Sequence, residues 1–129
     1  MLPDWPDGTV AVLSTSGPHA IPVSTATRSG DATIHLALAH TRESLANLRD
    51  DPRCALTLLT AGVAVTAYAS ATVVAEDERV AYLRLDVHEL ADHDQPTFEV
   101  EDGVRWRWSD DGAEQGDAAI RARLRELQP

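Results

Sequence analysis

The stretch that decides the fold is residues 41–59, Thr-Arg-Glu-Ser-Leu-Ala-Asn-Leu-Arg-Asp-Asp-Pro-Arg-Cys-Ala-Leu-Thr-Leu-Leu. Its first half predicts a short helix from Arg42 to Asp50, because Leu45 and Leu48 are spaced to lie on one helix face. Thr41 is the expected N-cap, since its hydroxyl can accept a hydrogen bond from the first turn. Free backbone N–H groups at a helix start attract anions, so a phosphate site is predicted there.

The rest of the stretch and its neighbours predict a mainly β chain. Pro52 ends the helix, because the residue before a proline disfavours α-helical backbone. Residues 54–59 are nearly all apolar and predict a strand in the middle of a sheet. Pro22 predicts an edge or a bulge, because proline cannot donate to a β-ladder. Short connections favour antiparallel hairpins, and the other predicted strands are residues 9–14, 19–28, 33–38, 63–75, 80–93, 97–101 and 104–108.

Three segments towards the C-terminus complete the predicted architecture. Residues 80–93 fit either a helix or a strand, and we favour a strand paired with residues 63–75. Asp102-Gly103 is a preferred two-residue turn and predicts a hairpin between the last two strands. Residues 117–127 have apolar side chains at helical spacing and predict a terminal helix. Six or seven antiparallel strands with one mid-chain and one C-terminal helix predict a closed or nearly closed β-barrel, formed by one domain over residues 1–129.

Composition narrows the classes of function. The formal charge is −10 and all 11 basic residues are arginine, so chemistry on a lysine Schiff base is excluded. An acidic chain lacks the basic stripe that nucleic-acid binding needs, and no nucleic-acid partner is expected. Cys54 is the single cysteine, which excludes an intrachain disulfide and a thiolate metal cluster. No signal peptide or span-length apolar run is found, so we expect a cytoplasmic protein without a membrane partner.

Histidines do not indicate a metal site. None of the five has the tight spacing of a metal-binding motif, and we predict no metal. Trp106 and Trp108 alternate with arginines, which predicts that both indoles share one face of a strand. These indoles could pack under the terminal helix or at a subunit interface, or one could border a ligand.

The region from about residue 9 to 75 resembles the pyridoxamine 5′-phosphate oxidase-related family of flavin-binding split β-barrels. Two features carry the resemblance: the helix with its Asp51-Pro52-Arg53 ending before a buried strand, and the segment Pro18–Val23 in the opening hairpin. The resemblance implies a split β-barrel homodimer with two FMN sites shared at the subunit interface. It also implies an oxidoreductase that acts on a small organic substrate.

The resemblance assigns cofactor-binding roles to eleven residues. It places Pro22, Val23 and Ser24 along the isoalloxazine ring of FMN. It places five residues around the phosphate: Ala39, His40, Thr41, Arg42 and Ser44. It brings Thr66 of the other subunit towards the ring, and it places Trp106 or Arg107 at the border of the cofactor. It assigns no catalytic residue, because no side chain here stands out as an indispensable acid or base.

One departure from the family pattern affects the phosphate. The family's usual Ser-Arg-Lys at the helix start is replaced here by Arg42-Glu43-Ser44. Glu43 would repel a phosphate dianion, whereas the Arg42 guanidinium and the hydroxyls of Thr41 and Ser44 could compensate. Two alternatives therefore stay open: the same fold binding F420 or haem, or a non-catalytic dimer that has lost cofactor affinity. For haem, the candidate axial ligands are His19, His35 and His40.

Overall fold

The computed structural model describes residues 1–129 and contains one antiparallel sheet and two helices. The prediction of a mainly β chain with a mid-chain and a C-terminal helix is confirmed. The elements in chain order are β1 (Ala11–Thr15), β2 (His19–Val23), β3 (Thr27–Gly30), β4 (Thr33–Ala39), α1 (Glu43–Asp50), β5 (Arg53–Thr60), β6 (Val63–Glu76), β7 (Val80–Asp92) and α2 (Asp111–Glu126).

The seven strands form a single sheet in the order β2-β1-β5-β6-β7-β4-β3. Residues 80–92 form a strand paired with β6, so the strand prediction for residues 80–93 is confirmed. Leu83, Leu85 and Val87 all face the core, at alternate positions. β2 is an edge strand, which agrees with the position predicted for Pro22. The predicted strand 19–28 is interrupted, because residues 24–26 carry the chain from the edge strand β2 to the opposite edge strand β3.

The sheet curls around α1. This helix packs against β1 and β2 at one end of the strand order and against β4 near the other end. A flat sheet would hold those strands far apart, so the contacts require the curled, barrel-like form that the family resemblance implies. Leu45 and Leu48 of α1 are buried as predicted, and they join the main core. That core draws on strands along the whole order, with Leu13, Ile34, Leu36, Leu56, Leu58, Leu83 and Leu85 among its most buried members.

The predicted cap of α1 is wrong. The N-cap residue is Arg42 rather than Thr41, and no side chain accepts a capping hydrogen bond at this end. The helix ends as predicted before Pro52, where the Asp51 N–H donates to the Asn47 carbonyl at 2.8 Å. α1 therefore lacks a side-chain cap at its N-terminus, whereas a backbone hydrogen bond closes its C-terminus.

The predicted hairpin of residues 97–101 and 104–108 is also wrong, because residues 93–109 contain no strand. This segment instead crosses the end of the sheet. The Gly62 N–H donates to the Val100 carbonyl at 2.9 Å, and the Trp106 indole donates to the Gly8 carbonyl at 2.8 Å. A Cβ at Gly103 would lie 3.1 Å from the Leu59 carbonyl oxygen, so glycine permits the close approach. These tertiary contacts outweigh the local preference of Asp-Gly for a hairpin turn.

α2 covers part of the outer face of the sheet. It begins at Asp111, earlier than the predicted residue 117, because the Asp110 carboxylate caps it by accepting from the Ala113 N–H at 3.1 Å. Leu124 is 1% exposed and packs on Val80 and Tyr82, with Ile120 and Leu127 at its sides. Neither α2 nor α1 combines the length and the apolar character that crossing a membrane requires.

The first prediction concerns the packing of α2. Because Leu124 is the fully buried anchor of a small cluster, Leu124→Ala should lower the free energy of unfolding by about 2–4 kcal/mol. Urea titration followed by circular dichroism measures this difference. Val104→Ala, at a position that is 63% exposed, is the control and should change the value by less than about 0.5 kcal/mol. Equal effects of the two substitutions would contradict the packing of Leu124 on Val80 and Tyr82.

The second prediction concerns the buried thiol. Burial raises the pKa of Cys54 to about 11, because the core disfavours the thiolate. A thiol reagent should therefore react slowly with the folded protein at pH 8, and the rate should rise only as the pH approaches 11. The urea-unfolded protein is the control and should follow the ordinary thiol pKa of about 8.5. Equal reaction rates of the folded and unfolded protein at pH 8 would contradict the burial of this thiol.

Candidate functional site

A surface cleft lies where the end of β2, the end of β4 and α2 come together. Its main part encloses about 300 Å³. A second part of about 320 Å³ shares Pro22, Val23 and Ser24 with it and extends towards the tryptophans. We call the two parts together the edge cleft. The remaining lining residues are Thr25, Ala37, Leu38, Ala39, Arg42, Val80, Trp108, Asp117 and Ile120 in the main part, and Val10, Trp106, Arg107, Trp108 and Ser109 in the second.

Most residues that the resemblance assigns to a cofactor meet in this cleft, although they are distant in sequence. The three assigned to the ring lie at the end of β2, and Ala39 and Arg42 lie between β4 and α1. Trp106 and Arg107 reach the cleft from the irregular segment before α2. The assigned residues that line the edge cleft are thus Pro22, Val23, Ser24, Ala39, Arg42, Trp106 and Arg107.

Hydrogen bonds of residues 24 and 25 fix the floor of the cleft. The Thr25 hydroxyl oxygen accepts a bond from the Ala37 N–H at 3.1 Å, which ties the chain leaving β2 to β4. The Ser24 carbonyl accepts a bond from the Arg121 guanidinium at 2.7 Å, which ties the same segment to α2. Asp117 accepts from Arg121 at 2.7 Å, and both side chains are largely buried, at 13% and 14% exposed. The carboxylate that lines the cleft is therefore neutralised within the protein.

Arg42 is the cation that lines the main part of the cleft, and Arg107 lines the second part. The Arg42 side chain is exposed and belongs to none of the ion pairs of the chain. Arg42 is also the N-cap residue of α1, where no side chain caps the helix. A free guanidinium beside an uncapped helix start favours an anion, since both present N–H donors to it.

Glu43 and Ser44 are turned towards His19 of β2. The Glu43 carboxylate lies 3.8 Å from His19 Nδ1. Ser44 is fully buried, and its hydroxyl hydrogen-bonds His19 Nε2 at 3.0 Å. Ser44 is therefore not one of the residues lining the cleft, contrary to its predicted place beside a phosphate, because the first turn of α1 directs this position into the core. Neither Glu43 nor Ser44 lines the edge cleft.

Three other assigned residues also lie outside the edge cleft. Thr41 is exposed but does not line it. His40 donates from Nε2 to the Asp77 carbonyl at 2.7 Å, so it is held towards the turn between β6 and β7. Thr66 is buried on the outer face of the sheet, where its hydroxyl bonds Thr57 at 2.9 Å and His93 at 2.8 Å.

Histidines are absent from the cleft lining. His35 is buried within the sheet and bonds the Ser29 hydroxyl through Nδ1 at 2.5 Å. Burial lowers the pKa of His35, and nearby Arg84 lowers it further. His19 bonds Ser44 and His40 bonds the Asp77 carbonyl, so none of the three candidate haem ligands faces the cleft. The structure contains no group of three or more histidine, cysteine or carboxylate side chains placed to hold a metal ion.

The sequence interpretation missed the contribution of α2 to the site. Trp108, Asp117 and Ile120 line the cleft, but helical periodicity indicates only that α2 packs on something. The two indoles were expected on one face of a strand, but residues 93–109 form no strand, and the indoles instead contact each other in an irregular segment. Their ring centroids are 5.2 Å apart at an interplanar angle of 85°, an edge-to-face contact. The lining is thus mostly apolar with two cations that belong to no ion pair, Arg42 and Arg107, which suits a flat ring carrying an anionic group.

Comparisons with known proteins agree with this architecture. Solved structures that share the fold include the following three. A candidate pyridoxamine 5′-phosphate oxidase from Listeria innocua has a TM-score of 0.55 at 14% identity, covering 66% of this chain and 88% of its own. HupZ from Group A Streptococcus has a TM-score of 0.58 at 9% identity, covering 75% and 90%. The NADH:FAD oxidoreductase SgcE6 from Streptomyces globisporus C-1027 has a TM-score of 0.57 at 12% identity, covering 83% and 89%.

Sequence comparison gives the family. No curated protein sequence matches the chain. A sequence profile of the family described as "Pyridoxamine 5'-phosphate oxidase" matches residues 5–107, which is most of the chain and includes every strand. The protein belongs to the pyridoxamine 5′-phosphate oxidase family.

Proposed function

We propose that the edge cleft binds FMN and that the protein is a flavin-dependent oxidoreductase acting on a small organic substrate. The observation that carries this proposal is the meeting of Pro22–Ser24, Arg42 and the two tryptophans in one cleft. Family membership supports a flavin, and one structural relative is an NADH:FAD oxidoreductase. A cytoplasmic location, expected from the sequence, is part of the same proposal.

The residues present fit the cofactor in size and in chemistry. The two parts of the cleft, about 300 and 320 Å³, together fall within the range of about 300–1,000 Å³ typical of small-molecule sites. Arg42 supplies the positive charge for a phosphate, aided by the N–H groups at the start of α1. Because Glu43 lies beside His19 and does not line the cleft, it opposes the phosphate less than its sequence position suggests.

The roles of the chain are binding and positioning. When bound, the flavin supplies the hydride or electron transfer, and the protein orients it. Pro22, Val23 and Ser24 would lie along the ring, with their backbone fixed through Arg121 and Thr25. Trp106 and Trp108 line the cleft beside Pro22, Val23 and Ser24, and they would exclude water from the ring there. The one carboxylate of the lining, Asp117, is ion-paired to Arg121, so we assign no acid or base to the protein.

A homodimer completes this proposal. Residues Pro22, Val12, Thr57 and Thr66 lie in one cross-strand row on the outer face of β2, β1, β5 and β6. The face around this row is made mostly of small side chains, with Val12, Leu59 and Tyr68 exposed by 39%, 50% and 39%. Exposed apolar side chains on a smooth face are typical of subunit interfaces. Pairing of two such faces would bring Thr66 of each subunit towards the Pro22 end of the other subunit's cleft.

The third prediction tests the phosphate site. Arg42→Ala should weaken FMN binding about tenfold to a hundredfold, because it removes a charge-assisted contact of about 1.5–3 kcal/mol. Titration monitored by flavin absorbance and fluorescence measures the dissociation constant. Arg105→Ala is the matched control, since it removes an exposed arginine that does not line the edge cleft.

Three outcomes of titrations with FMN, F420 and haemin would contradict the proposal. Equal FMN affinity of the Arg42→Ala variant and the wild type would remove Arg42 from the site. Binding of F420 or haemin in preference to FMN would keep the fold and change the chemistry. Absence of binding to all three would leave the non-catalytic alternative.

The fourth prediction tests the shared interface. Tyr68→Asp should shift the mass measured by light scattering from twice 14.0 kDa to 14.0 kDa, because a carboxylate would be buried on the paired face. FMN affinity should fall by at least about tenfold in the same variant if the partner subunit closes the site. Val74→Asp is the control, since Val74 is similarly exposed, by 36%, on a part of β6 that lies beyond its pairing with β5. A dimeric Tyr68→Asp variant would contradict the choice of face.

A further inference from the structure

A second cleft of about 220 Å³ lies on the side of Arg121 away from the edge cleft. It is formed by the N-terminal segment, β3 and the last turns of α2. No apolar side chain lines it, and it shares no residue with the edge cleft. We call it the arginine cleft, and its lining residues are Asp7, Thr27, Arg28, Arg121, Arg125 and Gln128.

Three of the eleven arginines of a chain with a net charge of −10 converge on this one cleft. Arg121 and Arg125 are four residues apart on α2, a spacing at which like charges repel each other. Arg28 of β3 adds a third guanidinium from the sheet side. Such a convergence of like charges is unfavourable unless anions compensate it. If the nearby carboxylates do not neutralise the three arginines, the remaining positive charge favours an anionic ligand.

The carboxylates within reach compensate these charges only partly. Asp117 accepts from Arg121 at 2.7 Å, which accounts for one cation. Arg28 has Asp4 at 3.8 Å and Asp31 at 3.7 Å, but these carboxylates are 95% and 74% exposed, so solvent weakens both pairs. Asp7 is the one carboxylate among the lining residues.

Arg125 has no ion pair or side-chain hydrogen bond within the chain. The Arg121 guanidinium binds Asp117 through Nε and the Ser24 carbonyl through Nη2, which fixes its plane and leaves Nη1 without a partner in the chain. A fixed guanidinium loses little further freedom on binding a ligand. The cleft thus offers N–H donors from two guanidinium groups on α2 and from the one on β3, although the Arg28 Nε–H is already donated to the Leu2 carbonyl at 3.2 Å. Thr27 and Gln128 add neutral polar groups.

We propose that the arginine cleft is a binding site for the phosphate group of a small molecule. Guanidinium groups bind phosphate oxygens in bidentate fashion, and three of them can share the charge of a dianion. The volume is below the range of about 300–1,000 Å³ for whole ligands, so the cleft suits a charged end group rather than an entire cofactor. This proposal does not rest on flavin binding, because the two clefts have different lining residues.

The fifth prediction tests this site on the protein without added flavin. Inorganic phosphate should raise the midpoint of thermal unfolding in a saturable manner, relative to chloride at equal ionic strength and pH. Arg125→Gln should raise the phosphate concentration that gives half of the maximal midpoint shift by about tenfold or more, because it removes a charge-assisted contact. This substitution breaks no ion pair or side-chain hydrogen bond within the chain, so the variant should fold normally.

Two control variants separate the arginine cleft from unspecific attraction and from the edge cleft. Arg123→Gln removes a cation from the same helix, but Arg123 pairs with Glu126 and does not line the arginine cleft, so the phosphate effect should persist. Arg42→Ala removes the cation of the proposed flavin-phosphate site, so any phosphate effect that persists in this variant, and is lost when Arg125→Gln is added to it, belongs to the arginine cleft.

Three results would overturn the proposal. Equal midpoints in phosphate and chloride would show that no phosphate binds. Equal losses of the phosphate-induced midpoint shift in Arg125→Gln and Arg123→Gln would indicate unspecific attraction of phosphate to the helix. A loss confined to Arg42→Ala would place the phosphate in the edge cleft.

Discussion

The curling of one sheet around α1 is the constraint on which the rest of this structure depends. A seven-stranded sheet with one apolar face must bury that face, and Leu45 and Leu48 of α1 take part in burying it. The helix contacts strands from both halves of the strand order. Because the sheet curls, Ser24 and Ala39 come to lie around one cleft, although β2 and β4 are not neighbours in the sheet. The position of the candidate site is thus a consequence of core packing.

The charge of the edge cleft depends on which of its charged side chains have ion-pair partners within the protein. Asp117 is held by Arg121, and Glu43 lies beside His19, so two carboxylates near the edge cleft are directed to protein partners. Arg42 has no such partner and lines the main part of the cleft. An acidic chain can in this way present local positive charge, because a carboxylate held by another cation, as Asp117 is by Arg121, does not compete with a bound anion for Arg42. The arginine cleft shows the same principle on the other side of Arg121.

The sequence predicted most of the fold, because apolar alternation and tight turns are local signals. The strand at residues 80–92 could be recognised from Leu83, Leu85 and Val87, whose alternation outweighed a competing helical spacing. The hairpin expected around Asp102-Gly103 was not formed, because contacts of that segment with Gly62, Leu59 and Gly8 are long-range and leave no periodic pattern. The N-cap was misplaced by one residue: the Arg42 N–H donates to the Ala39 carbonyl at the end of β4, and the helix begins after Arg42 without a side-chain cap.

The place of the assigned residues relative to the edge cleft could be predicted where the family resemblance fixed strand positions, and not where that place depends on side-chain direction. Pro22, Val23 and Ser24 lie at a strand end, so their placement follows from the β-ladder. Ser44 occupies the expected backbone position, but the packing of α1 turns its hydroxyl to His19. The contribution of α2 leaves no signal in the strand pattern. It depends on one buried ion pair, Arg121 with Asp117, that joins the helix to the Ser24 carbonyl. That same ion pair separates the two clefts, so each cleft has its own set of arginines.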